Sequence, residues 1–556
     1  MERRHRAVSP GGQKRYVALA AAAAAVPLAV LAVFFVVPVV GMLRLGFFPD
    51  GELDLGGVVE TLARPRVGRV VWFTVWSASL ATAVTVMLGV PVAYALHRLS
   101  FPGRRILRGL VAVPFVLPTV VVGVAFRTLL ADAGPLGFLG LDGSAAGIVA
   151  ALVFFNVSVV VRTVGPWWEA MDPRREEAAA ALGATPLQVL RTVTLPALRP
   201  VVLSAASVVF LFCATAFGVV LTMGGLRYAT VETEIYLLTT QFLDLRAAAA
   251  LSVLQIVVVV VLLVVTGRTR PSPVERVTVD TVARRPRGTD LPALIVLGLA
   301  LLLVVAPLGT LVVRSLRVDG GWSTEYYRAL GDADASPALA VPVGTALENS
   351  LRIAVDATLV ALTLGLVVAV LVTRRTRRPG PRRLLSLFDG IFMLPLGVSA
   401  VTVGFGLLVT LDRPPLDLRG SPWLVPVAQA MVALPLVVRT IVPVLRSIDE
   451  RRREAAATLG AGPLRVLATV DLPVAWRPAL AATGFAFAVS LGEFGATSFL
   501  ARPDAPTLPV LVYQLVSRPG ADNFGMALAA SVVLGLVTAV VMLAVERLHL
   551  RGVGAF

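Results

Sequence analysis

Side chains equipped for chemistry are few in this 556-residue sequence. Glu493 stands in the apolar run 479–500, three residues after Ser490 and four before Thr497. A carboxylate inside a membrane span is costly and is a functional candidate by default. It would draw a cationic solute or a metal ion; equally, Ser490 or Thr497 would hold it as a structural acid. Thr215, in the run 197–222, completes a small set of polar candidates along an apolar path. Covalent and redox chemistry lack their residues, so no catalytic residue is expected. Cys213 is the only cysteine, which excludes a disulfide framework and a thiolate metal site. His5, His97 and His549 are scattered, so no histidine metal site is expected either. Lys14 sits in Gly11-Gly12-Gln13-Lys14-Arg15, outside the Gly-Lys-Ser/Thr frame of a phosphate-binding loop. ATP, if used, is therefore hydrolysed by a separate subunit, and this chain itself is expected to bind no cofactor.

A second kind of site is mechanical. Glu177-Ala178-Ala179-Ala180-Ala181-Leu182-Gly183 runs on to Leu195-Pro196. It returns 277 residues later (454 − 177) as Glu454-Ala455-Ala456-Ala457-Thr458-Leu459-Gly460, running on to Leu472-Pro473. Pro173 is fit to start a helix, and residues 174–182 are rich in helix formers. Gly183 ends that helix and Pro186 begins another, with Leu187, Leu190 and Leu195 as an apolar stripe. A short helix–turn–helix of this kind suits a groove on another protein. An amphipathic connector between spans is the plainer alternative, and two copies in matched register argue against it.

The elements that must carry these sites are membrane helices. The chain is 57% hydrophobic and 15% charged, with a mean hydropathy of +0.84, which is a polytopic membrane composition. About 20 mainly apolar residues cross the hydrocarbon, and twelve runs qualify: 17–43, 70–96, 107–130, 146–166, 197–222, 247–266, 291–313, 349–373, 387–411, 423–445, 479–500 and 525–545. The net charge of +16 is nearly all arginine, concentrated in alternate connections at 97–108, 268–290 and 374–383 and in the tail. The positive-inside rule then places both termini and both Glu-Ala-Ala segments in the cytoplasm, and gives no reason to invoke nucleic acid. Arg352 and Asp356, four apart, are expected to pair on one helix face; Glu232 and Glu234 are expected in an outer loop. Trp167, Trp168, Trp322 and Trp423 are expected as interfacial anchors.

The repeat reaches beyond the motif. At the same displacement Arg162-Thr163 matches Arg439-Thr440, Asp172 matches Asp449, Phe217-Gly218 matches Phe494-Gly495 and Tyr236 matches Tyr513; Gly89 matches Gly365 with a shift of one. The expected architecture is all-α: two like-oriented, pseudo-symmetric halves of six spans, 1–267 and 291–556, joined by a basic linker at 268–290.

Glu-Ala-Ala, then Gly, then Leu-Pro at these spacings resembles the coupling motif of permease subunits in bacterial ATP-binding-cassette importers. Tyr94-Ala95-Leu96 with Phe101-Pro102-Gly103-Arg104-Arg105 resembles the loop after that family's early core span. Ser490-Leu491-Gly492-Glu493-Phe494-Gly495-Ala496-Thr497 resembles the late span of its oxyanion, iron and thiamine branches. The fused two-copy layout resembles ferric-iron and thiamine permeases, and Thr507-Leu508-Pro509 with Tyr513-Gln514 leans toward the thiamine type. The resemblance implies a type I permease in the bacterial inner membrane. It would move thiamine or ferric iron from an extracytoplasmic binding protein, powered by two copies of a nucleotide-binding subunit that use ATP and Mg. Coupling would run through Glu177, Ala178, Ala179, Gly183 and Pro196 on one subunit and Glu454, Ala455, Ala456, Gly460 and Pro473 on the other. The alternatives are an oxyanion permease, for molybdate or sulfate, and a secondary transporter driven by an ion gradient; the latter shares the two-half layout but gives no reason for a duplicated docking motif.

Overall fold

The computed structural model describes residues 22–49, 51–268, 283–337, 339–373, 390, 392, 398–412 and 417–549. The arginine-rich start, most of the linker, the basic loop 374–383 and Leu394-Pro395, which the 277-residue displacement matches to Leu117-Pro118, lie outside them. The fold is helical, with one two-stranded hairpin among the described residues (Arg317 opposite Trp322, Val318 opposite Gly321). Ten described helices are long and apolar enough to cross a membrane. They are α1 (Ala22–Phe47), α2 (Pro65–Arg98), α5 (Ala145–Ala170), α7 (Pro186–Ala214), α10 (Leu245–Leu263), α11 (Gly288–Ser315), α12 (Val343–Thr373), α14 (Leu424–Ser447), α16 (Pro463–Leu491) and α19 (Ala521–Val545). Shorter helices fill the gaps: α3 (Arg104–Phe115), α4 (Thr119–Leu130), α6 (Arg174–Ala181), α8 (Gly218–Gly224), α9 (Val231–Thr240), α13 (Ala400–Thr410), α15 (Glu450–Thr458), α17 (Thr497–Leu500) and α18 (Leu508–Ser517). The expected span 387–411 is described only at its end, where it forms α13.

Two compact units divide the described chain, and each draws on both sequence repeats. The larger gathers residues 43–350 and 501–540. Its core is α2 against α5, where Ala78, Ala81, Ala93 and Ala95 let backbones approach Ala151, Phe154 and Val160. At Gly89 the approach is closest: a Cβ there would lie 2.6 Å from Cβ of Val160. Leu297, Ala300 and Val304 of α11 join this core, so the helix that opens the second repeat packs on the first. The smaller unit gathers 22–42, 351–500 and 541–549. Here α14 packs on α16, and Leu31 and Phe35 of α1 join Ala430, Leu434 and Val438. A Cβ on Gly365 would lie 2.6 Å from Cγ1 of Val437, repeating the Gly89–Val160 contact in the other repeat.

Three runs expected as single spans are broken. Residues 107–130 form α3 and α4, bent by 103°. Leu117 precedes Pro118 and so avoids the helical region, which ends one helix and starts the next. Residues 197–222 divide at Thr215-Ala216-Phe217 into α7 and α8, and 479–500 divide at the equivalent place into α16 and α17. Hydropathy is continuous through these breaks, which is why composition does not reveal them. Upstream, both α7 and α16 carry a π-turn, Leu190–Thr194 and Leu467–Asp471, just before Leu-Pro. Pro196 and Pro473 have no N–H to give the carbonyl four residues back, and the widened turn takes up that mismatch.

Candidate coupling site

Alanine-rich sequence after an acidic cap builds the same knob twice. Asp172 Oδ1 accepts from Arg174 N (3.0 Å) and Asp449 Oδ1 from Arg451 N (3.0 Å), so the same acid turn precedes both helices and α6 and α15 begin within one residue of matched positions. They end alike too. Gly183 N donates to Ala180 O (3.0 Å) and Ala184 N to Ala179 O (3.1 Å); Gly460 N donates to Ala457 O (3.0 Å) and Ala461 N to Ala456 O (3.0 Å). This paired pattern is a Schellman stop and requires a left-handed residue at its centre. Gly183 and Gly460 supply it at φ +88° and +87°. Ala178 and Ala455 accept from Leu182 N and Leu459 N. The motif's alanines and glycine are thereby accounted for by main-chain geometry.

The surface of each knob is unfilled. Glu177, Ala178, Gly183 and Pro196 are exposed, as are Glu454, Ala455, Gly460 and Pro473, while Ala179 and Ala456 are half-buried. Glu177 and Glu454 have no side-chain partner among the described residues. Leu182 and Leu459, one residue before each glycine, are 90% and 89% exposed. An isolated exposed leucine needs no explanation, but these two stand at repeat-equivalent tips, with exposed Leu187 and Leu464 nearby, and give each knob a matched apolar surface. The motif comparison passed over Leu182 and Leu459; the repeat displacement was the signal that could have marked them.

Each knob is tied to its supporting helix by a different chemistry. In the first, Glu176 accepts from Thr194 Oγ1 (2.8 Å) and from Arg98 Nη2 (2.8 Å) at the end of α2. In the second, the equivalent positions are Arg453 and Asp471, and the polarity is reversed. Arg453 Nε donates to Asp471 Oδ1 (2.8 Å), Nη1 to Glu450 Oε2 (3.1 Å) and Nη2 to Leu445 O (3.1 Å). Burial alone would depress the Arg453 guanidinium; Asp471 and Glu450 outweigh it and hold the group above its ordinary value. The described end of the linker is tied to α2. Arg284 Nη1 and Nη2 grip Asp290 (2.7 and 2.8 Å), and Tyr94 Oη donates to Asp290 Oδ1 (2.8 Å).

The polar candidates inside the membrane lie at the helix breaks. Glu493 Oε1 accepts from Ala496 N (2.7 Å), and Oε2 accepts from Thr497 N (3.0 Å) and Thr497 Oγ1. The carboxylate therefore caps α17, the structural alternative for this residue, and Gln429 Nε2 donates to Thr497 Oγ1 (3.0 Å). Ser490 Oγ and Gln429 Oε1 are buried without a partner among the described residues. Thr215 Oγ1 donates to Leu211 O (2.8 Å) at the equivalent break. No group of three or more His, Cys, Asp or Glu among the described residues could hold a metal ion.

Three expectations are corrected. Glu232 and Glu234 lie in α9 and are buried: Glu232 accepts from Gln255, and Glu234 takes both arms of Arg66 (2.5 and 2.9 Å). Each acid has a partner more than 20 residues away, which local sequence does not reveal. Arg352 and Asp356 form no ion pair among the described residues. Trp168 is buried against Tyr94 (ring centroids 5.2 Å) instead of anchoring at an interface.

Comparison with known proteins places this geometry. A family model for binding-protein-dependent transport system inner membrane components matches twice, over residues 85–270 and 341–551, more than half of the chain. The thiamine transport system permease protein ThiP of Brucella abortus is 29% identical over 497 residues, covering 86% of this chain and 87% of the relative. The protein of that name from Escherichia coli is 29% identical over 464 residues, covering 80% and 83%. The sulfate transport system permease protein CysT of Salmonella typhimurium is 33% identical over 201 residues, covering 35% of this chain and 73% of the relative.

Proposed function

The chain belongs to the family of binding-protein-dependent transport system inner membrane components, and from that premise we propose that its cargo is thiamine. It is a multi-pass permease subunit of an ATP-binding-cassette importer, working with an ATPase and a solute-binding protein. The observation that carries the thiamine assignment is the span of the likeness: the thiamine permeases align across both repeats, whereas the sulfate permease covers about one.

Within this proposal the sequence halves 1–267 and 291–556, joined by 268–290, each engage one of two identical ATPase subunits. Both termini and both knobs are cytoplasmic. Glu177, Ala178, Ala179, Gly183 and Pro196 serve one docking cleft; Glu454, Ala455, Ala456, Gly460 and Pro473 serve the other. ATP and Mg are bound by the partners, and this chain, without a phosphate-binding loop, does no covalent chemistry. Closure of the ATPases pushes the knobs, and the permease shifts between two states by differential affinity. The solute path runs past the broken helices, with Thr215, Ser490, Glu493 and Thr497 as its polar residues. Discontinuous helices are where transporters commonly hold their cargo, because the break frees backbone groups at the midplane.

The test is uptake of radiolabelled thiamine by vesicles holding the chain with its ATPase and binding protein. ATP-dependent thiamine accumulation that sulfate and ferric iron do not compete supports the assignment; accumulation of either competitor in its place overturns it.

A further inference from the structure

Tyr236 and Tyr513 are repeat mates (513 − 236 = 277) and they touch, edge to face, with ring centroids 6.3 Å apart. A position meets its own mate only beside the pseudo-two-fold axis relating parallel repeats, since each mate stands half their separation from it. Both tyrosines belong to the same compact unit.

The helices that present them are fixed in matching ways. Val231 N at the start of α9 donates to Thr74 Oγ1 (3.0 Å), and Leu508 N at the start of α18 donates to Ser350 Oγ (2.7 Å). Thr74 and Ser350 are 276 residues apart, the displacement that relates Gly89 to Gly365. The flanking side chains Ile235, Leu237, Val512 and Leu515 are buried, whereas Tyr236 and Tyr513 are half-buried. Phe217 packs on Tyr236 at 5.5 Å and lies at the break between α7 and α8. An aromatic contact between half-buried residues thus sits on the repeat axis, beside a broken helix.

We propose that Tyr236 and Tyr513 form a gate across the solute path, closed in this structure, whose rings stack on a planar cationic ring of the cargo as they part. The solute class rests on the thiamine assignment above, because a cationic ring is what π faces attract most strongly; the gate does not. Phe217 extends the aromatic surface on one side.

The test uses the complete transporter in vesicles, with Cys213→Ser to remove the one native cysteine. In the Tyr236→Cys/Tyr513→Cys pair, a flexible bis-methanethiosulfonate cross-linker added without nucleotide is expected to join the two positions within one chain and stop ATP-driven uptake, and reductant to restore it. Single-cysteine variants treated with the same reagent should form no such link and should keep ATP-driven uptake. Failure to cross-link, or full uptake while cross-linked, overturns the gate whichever solute the transporter carries. Tyr236→Leu/Tyr513→Leu is expected to lower thiamine moved per ATP hydrolysed by about thirtyfold, the scale of one desolvated cation–π contact. Tyr236→Phe/Tyr513→Phe keeps the rings and should keep the ratio. If wild type carries thiamine and the leucine pair keeps its ratio, the ring contact is wrong while the thiamine assignment stands. If wild type carries no thiamine, that assignment fails and the cross-link alone decides the gate.

Discussion

At the scale of single residues, the two motif glycines bear the strictest demand. Nothing lies within 4 Å of a Cβ built on Gly183 or Gly460, so a substitution there meets no clash and is opposed by backbone conformation alone. A β-branched residue held left-handed costs about 1–2 kcal/mol. Gly183→Val or Gly460→Val should therefore open the turn and reduce both ATPase co-purification and uptake, whereas asparagine, which tolerates that conformation, should keep most of both. Arg453 makes a second prediction. Its removal takes the Arg453 guanidinium from Asp471, 4% exposed, at a cost of about 3 kcal/mol, the low end for a buried pair because Glu450 is solvated. Arg453→Ala should lower the thermal midpoint of the purified chain, and Arg453→Glu with Asp471→Thr, which copies Glu176 and Thr194, should recover part of it. The motif residues were legible in the sequence because their geometry is local: a cap, an alanine run, a left-handed glycine. Arg98 with Glu176 and Arg66 with Glu234 were not, since partners 78 and 168 residues apart leave no local pattern.

At the scale of elements, apolar run length identified the helices but not their interruptions. Residues 200–222 carry no charge and stay largely apolar, so a hydropathy window does not see the break at Thr215–Phe217. Pro118 sits at a 103° bend, yet proline alone does not announce a break, since Pro91 and Pro166 lie inside continuous helices. The close approach of α2 to α5 offers a direct test. Gly89→Leu forces a side chain into Val160 and should cost about 1–3 kcal/mol, read as reduced yield of folded chain in mild detergent. Adding Val160→Ala should restore part of the yield; the equivalent Gly365 and Val437 pair in the other unit should behave the same way.

At the scale of the whole molecule, the repeat predicts function more than any single site does. A duplicated knob, capped, stopped and exposed in the same way, has a purpose only if an external engine engages both copies. The all-α, two-repeat architecture followed from composition and the 277-residue displacement. The grouping of α11 with first-repeat helices and of α1 with second-repeat helices did not, because both are apolar on every side and carry no face that names a partner. The central claim is that force enters through the two knobs and comes from ATP. It is tested most directly by thiamine uptake into vesicles holding the permease, its ATPase and its loaded binding protein, with ion gradients and nucleotide varied independently. Accumulation that requires ATP, persists when proton and sodium gradients are collapsed, and disappears in the Gly183→Val/Gly460→Val chain is the predicted result; accumulation driven by an ion gradient with no nucleotide present would contradict the account.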